Sequence, residues 1–313
     1  MEKLLINYFK MNLKIKLFKQ ELENPLFLPS GIINGVANHQ VAIDAGAGSI
    51  VLKSITLNPR EGNPIPRVAK YEYGFVNSVG LKNPGLKEGK KQVKEFLKKA
   101  KVPIIVSVFA VSVKEFNKLV GEFAEIKPYA IEINLSCPNV EGEFGKMLSN
   151  KSDLSFEVIK SVKKEAGKIP IIAKLTPNVE NIGEIAKACE QAGANAIAAI
   201  NTIAPSMLID IYKRKPILGA KKGGLSGPSI RPVAIAKIYE IYEAVKIPIL
   251  GMGGVEKWQD AVEMMMAGAT LVGVGSSVYL RGYKIYKEII LGMSEFLKKE
   301  KIKNVKNLIG LGH

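Results

Sequence analysis

Eight short apolar runs recur along the chain, at Leu26–Leu28, Ser49–Leu52, Pro103–Val108, Ala130–Ile133, Pro170–Leu175, Ala196–Ile200, Pro248–Gly251 and Leu271–Val274. Stretches with helical periodicity lie between them, including Val113–Phe123, Leu154–Ala166, Ile182–Ala192, Pro232–Val245 and Trp258–Ala267. A strand that is apolar throughout must be covered on both faces, as in a parallel sheet flanked by helices. Gly193 and Gly268 stand where the helices at 182–192 and 258–267 should stop. Eight such units predict an α/β fold, a closed (β/α)₈ barrel. An open doubly wound sheet is the alternative. Ahead of the first unit, Leu13–Leu17 alternates apolar and basic residues, and Glu23-Asn24-Pro25 follows before Leu26. This predicts an N-terminal hairpin of Leu13–Leu17 with the next apolar strand. The expected division is an extension over 1–12, a barrel over 13–300 and a tail over 301–313. Two connections, 54–85 and 202–229, are too long for turns. On a barrel such loops form the rim of the active site.

Composition narrows the possible chemistry. None of the 313 residues belongs to a run of the ~18 consecutive apolar residues that a membrane span needs. The N-terminus lacks a secretory signal pattern. The two cysteines, Cys137 and Cys189, form no disulfide framework, so a cytoplasmic location is expected. The net charge of +16 suits nucleic acid or an acidic partner. However, the lysines of 87–101 and 298–306 are interspersed with glutamates, as on a solvated face. Only two histidines occur, His39 and His313, which argues against a histidine-based triad or a histidine-rich zinc site. A general base must then be Cys, Lys, Asp, Glu or Tyr.

The residues that follow the strands carry the chemistry. Ala130–Ile133 runs into Asn134-Leu135-Ser136-Cys137-Pro138-Asn139, and Pro138 cannot continue a ladder. Cys137 is either a small packing residue or a reactive thiol at the carboxyl end of a strand. Lys53 and Lys174 end apolar strands, a costly place for an unpaired ammonium. Each either snorkels to solvent or meets an anionic or electron-rich ligand. Gly253-Gly254 follows the seventh strand and Gly275-Ser276 the eighth, where barrels hold phosphate on backbone N–H groups. Gly223–Gly227 adds a third flexible edge. Amide side chains carry both donor and acceptor, so Asn77, Asn134, Asn139 and Asn201 are suited to surround a planar heterocycle.

Several segments together resemble the soluble, cysteine-containing dihydroorotate dehydrogenases. They are Asn24–Gly31, Lys53-Ser54, Pro59–Arg67, Asn77–Leu81, Asn134–Asn139, Lys174–Asn178, Gly223–Pro228 and Gly251–Val255. The resemblance spans about residues 12–290. It implies FMN as cofactor and oxidation of dihydroorotate to orotate in pyrimidine biosynthesis. Cys137 would remove the C5 proton while a hydride leaves C6 for the flavin. Ser30, Lys53, Ser54, Asn134, Lys174, Ile200, Gly227, Gly253, Gly254, Gly275 and Ser276 would hold FMN. Lys53, Asn77, Val79, Gly80, Leu81, Asn134, Asn139, Asn201 and Thr202 would hold the substrate. No metal is implied. Gly223–Pro228 and Gly251–Gly254 resemble the NAD-linked subclass, which works with an iron–sulfur FAD electron-transfer subunit around a homodimeric core. Pro59–Arg67 also resembles the fumarate-using relatives, which remain the alternative. An FMN-dependent tRNA dihydrouridine synthase is the more distant one, disfavoured by Ser136 before the cysteine and by the short stretch after the eighth strand. No nucleic-acid or membrane partner is expected. Two cysteines cannot ligate an iron–sulfur cluster, and no Gly-x-Gly-x-x-Gly fingerprint occurs.

Overall fold

In the computed structural model, which describes residues 13–136 and 151–313, the chain enters through a short antiparallel hairpin. Ile15–Leu17 (β1) pairs with Gln20–Leu22 (β2). The sequence predicts a hairpin here with its second strand beyond Pro25. The structure turns earlier, at Phe18, which takes a left-handed φ of 50°. The Asn24 side chain then accepts a hydrogen bond from the Leu26 amide and donates to the Gly46 carbonyl, steering the next strand away from the hairpin and into the barrel.

The barrel strands are β3 (Leu26–Leu28), β4 (Ser49–Val51), β7 (Ile104–Val108), β8 (Ala130–Asn134), β9 (Ile171–Lys174), β10 (Ala196–Ala199), β15 (Ile249–Met252) and β16 (Leu271–Gly273). All are parallel. They follow one another around the circumference in chain order, and β16 closes on β3. Every residue of β7, β8, β9, β10 and β15 is buried. That is why these strands read as unbroken apolar runs: lumen and helix layer both exclude water. Each buried Ile, Val or Leu side chain contributes about 1.5–3 kcal/mol. Apart from the serines Ser49 and Ser107, the polar exceptions Glu132, Asn134 and Lys174 fall on β8 and at the carboxyl end of β9. Helix starts are fixed locally. Ser112 accepts from the Glu115 amide to cap Val113–Ala124, and Asn181 accepts from the Glu184 amide to cap Ile182–Gln191.

The two long connections are not irregular loops. The first holds β5 (Val68–Tyr71) and β6 (Gly74–Asn77). The second holds β11 (Ile203–Ser206), β12 (Ile209–Asp210), β13 (Lys215–Pro216) and β14 (Gly223–Ser226). β11, β14, β6 and β5 form one antiparallel sheet that ties the two connections together, while β12 and β13 make a separate hairpin. A buried asparagine anchors the first connection. Asn83 Oδ1 accepts from the amides of Thr56 and Gly85, and its Nδ2 donates to Thr56 Oγ1 and the Leu81 carbonyl. All four bonds are made inside the loop that carries 77–81. Replacing Asn83 by Ala would strand two amides and a carbonyl. A loss of about 2–3 kcal/mol in urea unfolding is expected, with weaker ligand binding in the rim; an unchanged unfolding midpoint would contradict this.

Candidate functional site

A cavity of about 380 Å³ opens at the carboxyl ends of the strands, beneath the four-stranded sheet. Its polar lining is a connected network. Asn201 Nδ2 donates to Ser136 Oγ at 2.6 Å, and Ser136 Oγ donates to Asn134 Oδ1 at 2.7 Å. Asn134 Nδ2 in turn donates to Ser54 Oγ at 3.1 Å, and Ser54 meets Ser107 Oγ at 2.8 Å. Each amide is therefore locked in one orientation, with its remaining capacity directed at the cavity. On the opposite wall Asn77 Nδ2 donates to the Gly224 carbonyl at 3.2 Å, joining β6 to β14. Beyond Asn77 the chain turns through Val79-Gly80-Leu81, all lining the cavity. Gly80 has a φ of 71°, and a Cβ there would lie 2.5 Å from the Asn63 amide nitrogen, so only glycine fits.

The cations sit on the same floor. Lys174, only 4% exposed, ends β9 beside Asn134 of β8. It does not snorkel to solvent. Its Nζ donates to Ser30 Oγ at 2.9 Å and lies 3.9 Å from Glu132 Oε1. Ser30 Oγ donates onward to Glu132 Oε1 at 3.1 Å. Lys53 lines the cavity too, close enough to Gly31 that a Cβ there would meet its Nζ at 3.6 Å.

A second, smaller cavity of about 90 Å³ adjoins the first and shares Ser30, Lys174, Asn201, Thr202 and Ser276 with it. Glycine dominates its wall, at Gly227, Gly253, Gly254, Gly273 and Gly275. Gly254 has a φ of 74°, and a Cβ there would press on Arg231 and the Gly227 carbonyl at 2.8 Å. The amides of Gly254, Gly275 and Ser276 find no acceptor among the described residues. Backbone donors facing a cavity in this way suit a phosphate.

The structure thus brings together every described residue singled out from the sequence. Ser30, Lys53, Ser54, Asn77, Val79, Gly80, Leu81, Asn134, Lys174, Asn201, Thr202 and Ser276 line the larger cavity; Ile200, Gly227, Gly253, Gly254 and Gly275 line the smaller. Cys137 and Asn139 lie outside the described residues. Cys189 is fully buried in its helix, and burial pushes its thiol up to about 12. Phe75, Tyr279, Ser226 and Glu132 were not predicted. Phe75 and Ser226 line the cavity from strands that pair across distant segments, and Tyr279 from the short helix Ser277–Arg281. Glu132 is a single charge inside an apolar run, a weak signal by periodicity alone.

Comparison with known proteins identifies the family. The family model described as dihydroorotate dehydrogenase matches residues 12–297. The chain is similar to the "Dihydroorotate dehydrogenase B (NAD(+)), catalytic subunit" of Pyrococcus abyssi, with 41% identity over 304 residues, covering 96% of this chain and 98% of that protein. Proteins of the same description from Thermococcus kodakarensis and Methanocaldococcus jannaschii are each 42% identical, over 300 and 306 residues. They cover 96% of this chain, and 97% and 98% of their own lengths. No helix among the described residues is long and apolar enough to cross a membrane. With its barrel, its strand-end constellation and a match across nearly its whole length, the chain belongs to the dihydroorotate dehydrogenase family.

Proposed function

We propose that this chain oxidises dihydroorotate to orotate on a bound FMN and passes the electrons to a separate, NAD-linked subunit. The observation that carries the reading is the convergence of Asn77, Asn134, Asn201, Lys53 and Lys174 on one cavity continuous with a glycine-walled one. The family is flavin-dependent, and the two compartments fit the two ends of FMN. Gly254, Gly275 and Ser276 would hold the phosphate on backbone amides. Lys174, Ser30, Asn134 and Ser54 would hold the ring system, with Ile200 and Gly227 beside it. FMN supplies the two-electron acceptor that no side chain offers.

The chain's own residues do the rest. Orotate is planar, anionic and edged with amide-like groups. Asn77, Asn134, Asn139, Asn201 and Thr202 would read those edges, and Lys53 with the Val79-Gly80-Leu81 turn would meet the carboxylate. Locked amides bind without paying for reorientation, which favours one pose. Cys137 takes the proton from the substrate carbon as its thiolate. The electron-transfer partner follows from the relatives' names as catalytic subunits; by this reading it is an iron–sulfur FAD protein serving a homodimeric core.

Anaerobic dihydroorotate should bleach the visible band of the purified flavoprotein. Cys137→Ser should slow that bleaching about 100-fold or more while orotate binding persists. Cys189→Ala should bleach at the parental rate, because that thiol is buried and protonated at neutral pH. Equal rates in Cys137→Ser and the parent would remove Cys137 from the role of base. Lys174→Ala should lower the flavin's reduction potential, since a cation beside the ring favours the reduced anion. An unmoved potential would contradict that placement. NAD alone should leave the reduced protein bleached, and colour should return only with the partner or an artificial acceptor. Rapid recolouring by NAD alone would refute the partner, and recolouring by fumarate alone would assign the chain to the fumarate-using relatives.

A further inference from the structure

Glu132 is the one carboxylate on a barrel strand, and nothing in the reaction as described uses it. It is 1% exposed, sits midway along β8 between Ser107 of β7 and Ile172 of β9, and does not line either cavity. One of its oxygens, Oε2, finds no hydrogen-bond partner among the described residues. A buried carboxylate so poorly satisfied is costly to hold. Its other oxygen accepts from Ser30 Oγ, which accepts from Lys174 Nζ.

The relay has a definite polarity. Ser30 has one hydroxyl hydrogen, and Glu132 takes it. The Ser30 lone pairs are thereby turned toward Lys174, fixing the ammonium at the cavity floor. Only one of Lys174's three N–H donors is spent on Ser30, and Glu132 at 3.9 Å is beyond hydrogen-bond range. Lys174 lines both cavities. Glu132 therefore holds Lys174 in place and also offsets its charge from below. In a site shielded from water, both effects reach the ligand that Lys174 touches.

We propose that Glu132 is a positioning residue that, through Ser30, sets the orientation and effective charge of Lys174 and so holds the reduction potential of the bound flavin below the value the lysine alone would give. This rests on the reading of the cavity as a flavin site. A negative charge near the ring opposes added electrons, so its removal must raise the potential. The test is dye-equilibration potentiometry of the FMN-loaded protein. Glu132→Gln keeps the shape and removes the charge, and should shift the oxidised–reduced equilibrium toward reduced flavin by about tenfold, about 30 mV for a two-electron couple. Ser30→Ala keeps both charges but releases the ammonium from the cavity floor, and should lower the potential, in the direction of Lys174→Ala but by less. It supplies the readout should Glu132→Gln not fold. A purely structural Glu132 would lower the melting temperature and leave the potential of the folded fraction unmoved. An unchanged or lowered potential in Glu132→Gln, or an unchanged or raised one in Ser30→Ala, with normal FMN binding in the parent, would overturn this inference alone. A parent protein that takes up no FMN would overturn the functional reading and this inference with it.

Discussion

An ammonium buried at the end of an apolar strand must find a counter-charge, and in this barrel that requirement organises the site. Lys174 is nearly inaccessible, so water cannot solvate it. Glu132 supplies the opposite charge from the neighbouring strand and Ser30 bridges the two from the loop after β3. Three separate chain segments are thereby held in one arrangement. Breaking any member would leave a buried charge or dipole without its partner, which costs more than the intact network contributes.

The rest of the site follows from closing a barrel around that core. Strand ends place Asn134, Lys174 and Asn201 side by side, and hydrogen bonds through Ser136 and Ser54 fix the amides. The wall over them is built by two connections that could not fold alone. β6 of the first pairs with β14 of the second, 147 residues away along the chain at Asn77 and Gly224. A rim made this way couples cavity-lining residues of both loops to one sheet.

What the sequence made legible follows the same physics. Barrel strands buried on both faces leave an unbroken apolar signature, so all eight were readable to within a residue or two. Polar residues at their ends stand out against that background, which is why Lys53, Asn134 and Lys174 could be named. The rim sheet could not be, because its strands are short, half exposed and defined by long-range pairing. The N-terminal hairpin was misplaced because Asn24 reads as a turn residue, whereas its side chain instead directs Leu26 into the barrel. Glu132 was invisible because its meaning lies in two residues distant in sequence.

The central claim is that one mouth holds a flavin and a pyrimidine carboxylate in contact. The most direct measurement is an orotate titration of the oxidised, FMN-loaded protein, followed through the visible flavin spectrum. A saturable one-to-one perturbation is expected, because the larger cavity shares Lys174, Ser30 and Ser276 with the glycine-walled one. A flavin spectrum that stays unmoved at saturating orotate, or no flavin uptake at all, would contradict the account.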